Sequence, residues 1–452
     1  MLALLFVMAW TGGVAQAGST LPPLFRAETI AVSTSSQSSV YPLAPDGPLA
    51  PAVNLALVDL VETAFTTGLN AEALRAVVDG GDPRAAWVLA DLLRFHQRGV
   101  ERAELVTAFT SLTGVEPPTS RNPDFVWTFN QLIAWDLPVW EGYAELKRRI
   151  YTSFDEHWDP FFEEDDGVDW RMVTWGGVFA DSRPFGDNGP CNCIPALDNV
   201  ATTDAGGGEW YADERVVFGV VVSGEALALP RHQMEVHEMV NDTLGGRQIA
   251  IPYCTLCLSA QAYFTDDVGG FRPLLRTSGL LSRSNKFMYD VTTFSAVDTF
   301  TGEAISGPLF DAGVRLNQTT VVTSTWAAWR AAHPNTTIIA EDGGIGRSYP
   351  RNPLRGRDDA GPIFPVGDVD PRLSVHDVVL GVVAADGTPV AFPVGPTRLA
   401  LEADEEVVLA GVVLQSDAGG LRAFIDGAES PAHEAFWFAW SQFQPQTLLW
   451  ER

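Results

Sequence analysis

Apolar residues recur at helical spacing between about Pro51 and Tyr151 and at strand spacing from Trp175 onward, and this change of period divides the chain. Leu55, Leu57, Val58, Leu60 and Val61 mark a first amphipathic stretch. Asp82-Pro83-Arg84 opens a second, AAWVLADLLRF, with proline near the helix start, where it is tolerated. Its Trp87, Leu89, Leu92 and Leu93 share one broad face. Ala103 to Leu112, Trp127 to Trp135 and Gly142 to Tyr151 supply three more stretches. Short helices broken by Gly, Pro and Asp predict a helical region over residues 51–160, without the fixed period of a solenoid. Beyond it, valine-rich Val216 to Val222 predicts a strand paired with Ala226 to Leu229 across Ser223-Gly224. Ile249 to Tyr253, β-branched and aromatic, predicts another after the Gly245-Gly246 turn.

The strand region carries an echo. VVFGVVVSGEALALP (Val216 to Pro230) is similar to VVLGVVAADGTPVAFP (Val378 to Pro393). Trp326 and Trp329, followed by Pro334, match Trp437 and Trp440, followed by Pro445, at the same offsets. The expected fold is therefore α+β: an N-terminal helical region, then two related, mainly antiparallel β modules with short Trp-bearing helices. Module one spans residues 175–345 and an abbreviated module two spans 370–452. At the place of PYCTLC the second module reads GVVLQSDAGG, and at the place of the His-Glu segment RLALEADEE. The histidine and cysteines of module one thus read as additions that serve a site.

Residues 1–17 read as a signal peptide, with an apolar run from Leu2 to Trp10 and a small-x-small signal at Ala15-Gln16-Ala17; an uncleaved membrane anchor is the alternative. Residues 18–50, rich in Ser, Thr, Pro and Gly, read as a flexible leader. The mature chain is expected to be soluble and exported, to periplasm or exterior. Its 57 acidic against 29 basic residues, net charge −28, exclude a nucleic-acid partner. Gly206 to Gly208 lacks the following helix and lysine of a phosphate cradle, so no nucleotide cofactor is expected. The acidic run Glu163 to Asp166 lacks the spaced ligands of a calcium loop and reads as solvated. A partner protein on the helical region and an unknown small-molecule substrate are compatible with the pattern, and whether the protein is an enzyme stays open.

The chemistry concentrates in HEMVNDTLGGRQIAIPYCTLCLSAQAYF, His237 to Phe264. A hairpin here would carry His237 back toward Cys254 and Cys257, giving one imidazole and two thiols for copper or zinc. Met288 would complete a copper site; a cysteine of the Cys191/Cys193 pair would complete a zinc site. Glu238 or Asp242 would orient the histidine or act as base, and Asn285 and Asp290 would line the same cleft. Other readings stand beside this one. Cys254 and Cys257 have the spacing of a thiol–disulfide exchange pair, with an imidazolium to lower a thiol pKa. Alternatively His237 caps a turn and the thiols are a structural disulfide, or the protein has a binding or scaffold role, with the helical region and the Trp-rich modules forming the interface. His96, His157 and His333 read as structural or solvated.

The motifs IPALDN (Ile194 to Asn199), HEMVNDTLGGR, YCTLC, SGLLSRSNKFMYD (Ser278 to Asp290), TGEAISGPL (Thr301 to Leu309) and TWAAWRAAHPNT (Thr325 to Thr336) occur in this order. In this the chain resembles the bacterial family catalogued as domain of unknown function 3179. The resemblance implies an exported or membrane-associated protein with His-Glu and Cys-x-x-Cys motifs, and no established activity. It also marks two departures, Leu258 where a small residue is common and Val297 where an aromatic is frequent, and it marks Cys191-Asn-Cys193 as particular to this branch, as a local disulfide or accessory ligand pair.

Overall fold

The computed structural model describes residues 41–118, 124–162, 167–356 and 361–452. The expected signal peptide, the leader up to residue 40 and the acidic run Glu163 to Asp166 lie outside them. From Tyr41 the chain is packed: its ring stacks on Trp135 at 4.4 Å.

Among the described residues, six α-helices form the N-terminal region: α1 (Pro51–Ala64), α2 (Ala71–Gly80), α3 (Ala86–Phe95), α4 (Gly99–Thr113), α5 (Asp124–Trp135) and α6 (Tyr143–Thr152). The five stretches expected from periodicity lie in or across α1 and α3 to α6. The sixth, α2, starts where the Asn70 side chain accepts from the backbone N–H of Glu72 and Ala73, and it stops at left-handed Gly81. Helix α3 is the axis of this region, buried from Ala86 through Arg94. It carries Asp91, which meets Lys147 of α6 at 2.9 Å with both side chains wholly buried. The Tyr143 and Tyr151 hydroxyls donate to the same carboxylate. A charge pair so deep is tolerable only because its remaining lone pairs and protons are also met.

The rest of the described chain forms five small sheets in a propeller-like arrangement, and the whole is of α+β class. The helical core runs on into the first sheet through Leu280, Phe287, Tyr289 and Ala296. That sheet pairs Val173–Trp175, Leu275–Ser282, Asn285–Asp290 and Ala296–Asp298, all antiparallel. Beside it, Met239–Leu244 pairs antiparallel with Arg247–Cys254 and parallel with Leu197–Asp198.

Two further sheets share one plan. In one, Val322–Thr325 lies antiparallel to Val216–Val222, which pairs antiparallel with Glu225–Pro230, which runs parallel to Thr337–Ile339. In the other, Ala432–Phe436, Val378–Val383, Pro389–Pro393 and Leu448–Leu449 repeat the order and the senses. Each sheet packs under a short tryptophan helix. A Cβ on Gly219 would fall 2.2 Å from the Trp329 ring, and one on Gly381 would fall 2.1 Å from Trp440, so only glycine admits the indole. The indole N–H groups of Trp329 and Trp440 then donate to Thr336 and Thr447, each at 2.9 Å. Among the described residues, no helix is long and apolar enough to cross a membrane.

Candidate functional site

The helix Arg231–His237 begins after Pro230 and ends at Glu238, whose φ of 52° is left-handed. That residue turns the chain into the strand Met239–Leu244. The Gly245-Gly246 hairpin returns it as Arg247–Cys254, in a register that sets Met239 opposite Pro252. Glu238 is thereby brought against Tyr253, whose N–H donates to its carbonyl at 2.9 Å. The chain turns again at Cys254, with Cys257 N–H donating to Cys254 O at 3.2 Å and Leu258 left-handed at φ 53°.

This register separates His237 from the cysteines, contrary to the sequence expectation. His237 is still helical, and both its ring nitrogens are taken up by other groups. Nδ1 lies 2.6 Å from the Pro195 carbonyl and Nε2 2.8 Å from the Tyr349 hydroxyl. A carbonyl only accepts, so Nδ1 carries the proton and Nε2 accepts from tyrosine. Burial pushes the ring down to about 4, so it is neutral and fully occupied. Among the described residues, His237 does not fall within a common coordinating cluster with Cys254 and Cys257; the one such group is Asp181, Cys191 and Cys193. In that group the sulfurs are joined as the Cys191–Cys193 disulfide, with Cα atoms 5.1 Å apart. Asp181 in turn is held by Arg183 at 2.6 Å and by the Ala196 N–H at 2.8 Å.

The other expected ligands are also placed elsewhere. Met288 is buried in a separate apolar cluster with Met239, Leu275 and Val297. Asp242 is half-buried farther along its strand, opposite Ile249, and accepts from Thr243 N–H. Asp290, at the far end of Asn285–Asp290, accepts from the backbone N–H groups of Leu274 and Thr293 and so fixes a turn. Asn285 is buried, and its amide donates to Lys286 O at 3.3 Å. The residues present therefore do not fit a three-ligand soft-metal centre.

What does converge on the cysteines is Glu238, Thr255, Ser284 and Lys286. Cys254 and Cys257 are free thiols, 1% and 0% exposed. Cys254 Sγ lies 3.9 Å and Cys257 Sγ 3.4 Å from the Ser284 carbonyl, in the tight turn between two strands of the first sheet. The Thr255 hydroxyl donates to the Glu238 carboxylate at 2.8 Å. The Lys286 ammonium donates to the carbonyls of Glu238 and Tyr253. A cavity of about 90 Å³ opens here, lined by Glu238, Cys254, Thr255, Thr277 and Lys286, with Cys254 but not Cys257 on its wall. A β-bulge between Thr277 and Leu281 shapes one side. Its Gly279 has φ 79° and would meet Val178 O at 2.2 Å if it carried a Cβ.

The two sulfurs are electrostatically unequal. Burial alone would raise the Cys254 thiol. The hydrogen bond from Cys257 and the Lys286 cation outweigh burial and Glu238, leaving it below its ordinary value. Burial, then the bond to Cys254, pushes Cys257 well up. Burial lowers Lys286, while Glu238 and both sulfurs oppose that. The site thus holds one thiolate-prone sulfur at a cavity and one thiol behind it. Lys286 is the residue that sequence reasoning passed over. Its signal is a lysine inside NKFMYD, in step with Met288 on one face of a strand.

A family model described as "Protein of unknown function (DUF3179)" matches residues 191–426, more than half of the chain. No curated protein and no solved structure matches.

Proposed function

This chain belongs to the DUF3179 family of proteins of unknown function, and from that premise we propose that Cys254 and Cys257 form a thiol–disulfide redox centre with Cys254 as the attacking sulfur. The observation that carries it is the placement of Cys254 on the cavity wall, with Cys257 behind it and the Lys286 ammonium beside the pair. The Cys254 thiolate attacks one sulfur of a small disulfide, and the other leaves as a thiolate that takes up a proton. Cys257, giving up its proton, attacks the Cys254 sulfur and expels the second substrate thiol. One dithiol and one disulfide become one disulfide and two thiols, with two electrons passing to the substrate. Lys286 and Thr255 act by position: the first offsets the thiolate charge, and the second holds the Glu238 carboxylate. A cavity of about 90 Å³ holds roughly three waters, so it suits the end of a small molecule and not a folded protein's surface.

The test is equilibration of the reduced protein in glutathione buffers of graded potential, with mass spectrometry of alkylated samples. Reversible conversion of the Cys254/Cys257 pair at one midpoint, with Cys191–Cys193 unchanged, is the expected result. A pair that never oxidises sinks the reading. The same sulfurs, without His237, also suit copper(I), because both face one carbonyl and thiolates are soft ligands. Copper retained by the purified wild type, absent from Cys254→Ser, would favour that second reading.

Export is part of the proposal. The Leu2 to Trp10 run and Ala15-Gln16-Ala17 support it, as does a disulfide at Cys191–Cys193, which suits an oxidising compartment. We also infer that the two tryptophan-capped sheets are copies of one module. Shared strand order and the paired Gly219/Trp329 and Gly381/Trp440 contacts support that relation.

A further inference from the structure

A second cavity, of about 380 Å³, lies against the Arg231–His237 helix: its walls include Tyr211, Arg215, Arg231, His232, Glu235 and Arg351. Arg231, His232 and Glu235 come from one short helix, Arg215 from the turn before Val216–Val222, and Arg351 from the loop that follows Tyr349. Three guanidinium groups gather here in a chain whose net charge is −28. Glu235 offsets one of them, accepting from Arg231 Nε at 2.9 Å. Glu214 also lines the cavity. Among the described residues, neither Arg215 nor Arg351 has a carboxylate partner in an ion pair. Arg215 lies 4.4 Å over the Tyr211 ring and donates to the Arg351 carbonyl at 3.2 Å, contacts that orient its fork without neutralising it.

The second observation is His232. It is 5% exposed and stacks on Tyr211 at 5.4 Å, and its buried Nδ1 has no hydrogen-bond partner among the described residues. A buried polar atom without a partner is uncommon and calls for a reason. On a cavity wall that also carries Arg215 and Arg351, a role in binding a polar ligand supplies one.

We propose that this cavity binds a small organic oxyanion, a carboxylate or a phosphate ester, held by Arg215 and Arg351 and contacted by the His232 ring. The planar guanidinium fork matches both oxyanion types, and the half-buried setting of Arg215 strengthens its charge relative to one in bulk water. The site is separate from the dithiol, and its occupancy does not depend on redox chemistry.

Calorimetric titration of the full chain with citrate, which carries only carboxylates, and with glycerol 2-phosphate, which carries only a phosphate ester, at fixed ionic strength, tests this. Saturable binding of either probe supports the site, and the probe that binds more tightly identifies the oxyanion. Arg215→Ala and Arg351→Ala should each weaken binding roughly tenfold or more, while Arg272→Ala, outside the cavity, should leave it unchanged. Arg215 is half-buried and Arg351 exposed, so their loss should spare the fold, checked by circular dichroism. No saturable heat from either probe, or binding unaltered in the Arg215→Ala/Arg351→Ala double variant, overturns the proposal.

Discussion

Replacing Lys286 by Met deletes a buried cation while keeping the length of the side chain. Lys286 is 4% exposed, and its ammonium donates to two backbone carbonyls at the mouth of the cysteine turn. Its charge is one of the influences that hold Cys254 below its ordinary value, after the Cys257 hydrogen bond and beside a hydrogen bond from the Lys286 backbone, which the substitution leaves in place. A neighbouring opposite charge shifts a pKa by about 1–3 units, and each unit is worth about 1.4 kcal/mol. Lys286→Met should therefore raise the Cys254 midpoint by about one unit or more. Lys286→Gln, which keeps a donor but no charge, should do the same. Lys286→Met also removes a donor from two carbonyls, of which that of Glu238 keeps the Tyr253 N–H; a carbonyl left unmet costs about 1–3 kcal/mol, partly offset by no longer burying an ammonium. Stability is thus a poor readout, and the thiolate's ultraviolet absorbance across pH is the better one, with Cys254→Ser assigning the transition. A Cys254 midpoint unchanged or lowered in Lys286→Met would refute the electrostatic reasoning.

Gly219→Ala and Gly381→Ala each drive a methyl to about 2 Å from an indole, so each should destabilise by about 1–3 kcal/mol or more in urea unfolding; a loss below half of that at both sites would contradict the packing described. His433 is wholly enclosed and pushed by burial from 6.5 down to about 4. Its folded form binds a proton more weakly than its unfolded form, so the stability of the neutral ring is complete above about 6.5 and is lost as pH falls toward 4. His433→Gln should remove about 3 kcal/mol of that acid-dependent loss, read as a flatter stability curve between pH 4 and 7; equal slopes in the two proteins would show the ring to be solvated.

Much of the fold was legible because burial imposes a period. Val216–Val222 reads as a strand from its valines, and Ser223-Gly224 as its turn, with φ values of 49° and 85°. Trp87 and its neighbours announce α3, although that helix is buried on every side, not on one face. Helix α2 escaped notice because only Ala73, Leu74 and Val77 face the core, too few to set a rhythm. The site was half legible. Cys254 and Cys257 declare themselves by spacing, but His237 was assigned to them by proximity along the chain. One left-handed residue, Glu238, decides the matter: it ends a helix there and hands the position beside the cysteines to its own carboxylate. A non-glycine residue at positive φ has no reliable signature in sequence. Lys286 and Ser284 approach from a strand pair some thirty residues away, a pairing that local pattern does not encode.

The most direct test of the dithiol account is trapping. Reduced Cys257→Ser, treated with oxidised glutathione at neutral pH, should accumulate a stable mixed disulfide at Cys254, identified by peptide mass spectrometry. Cys254→Ser should accumulate little, because Cys257 lies behind the cavity wall with its thiol pushed well up. Trapping at Cys257 in preference to Cys254, or at neither sulfur, would contradict it.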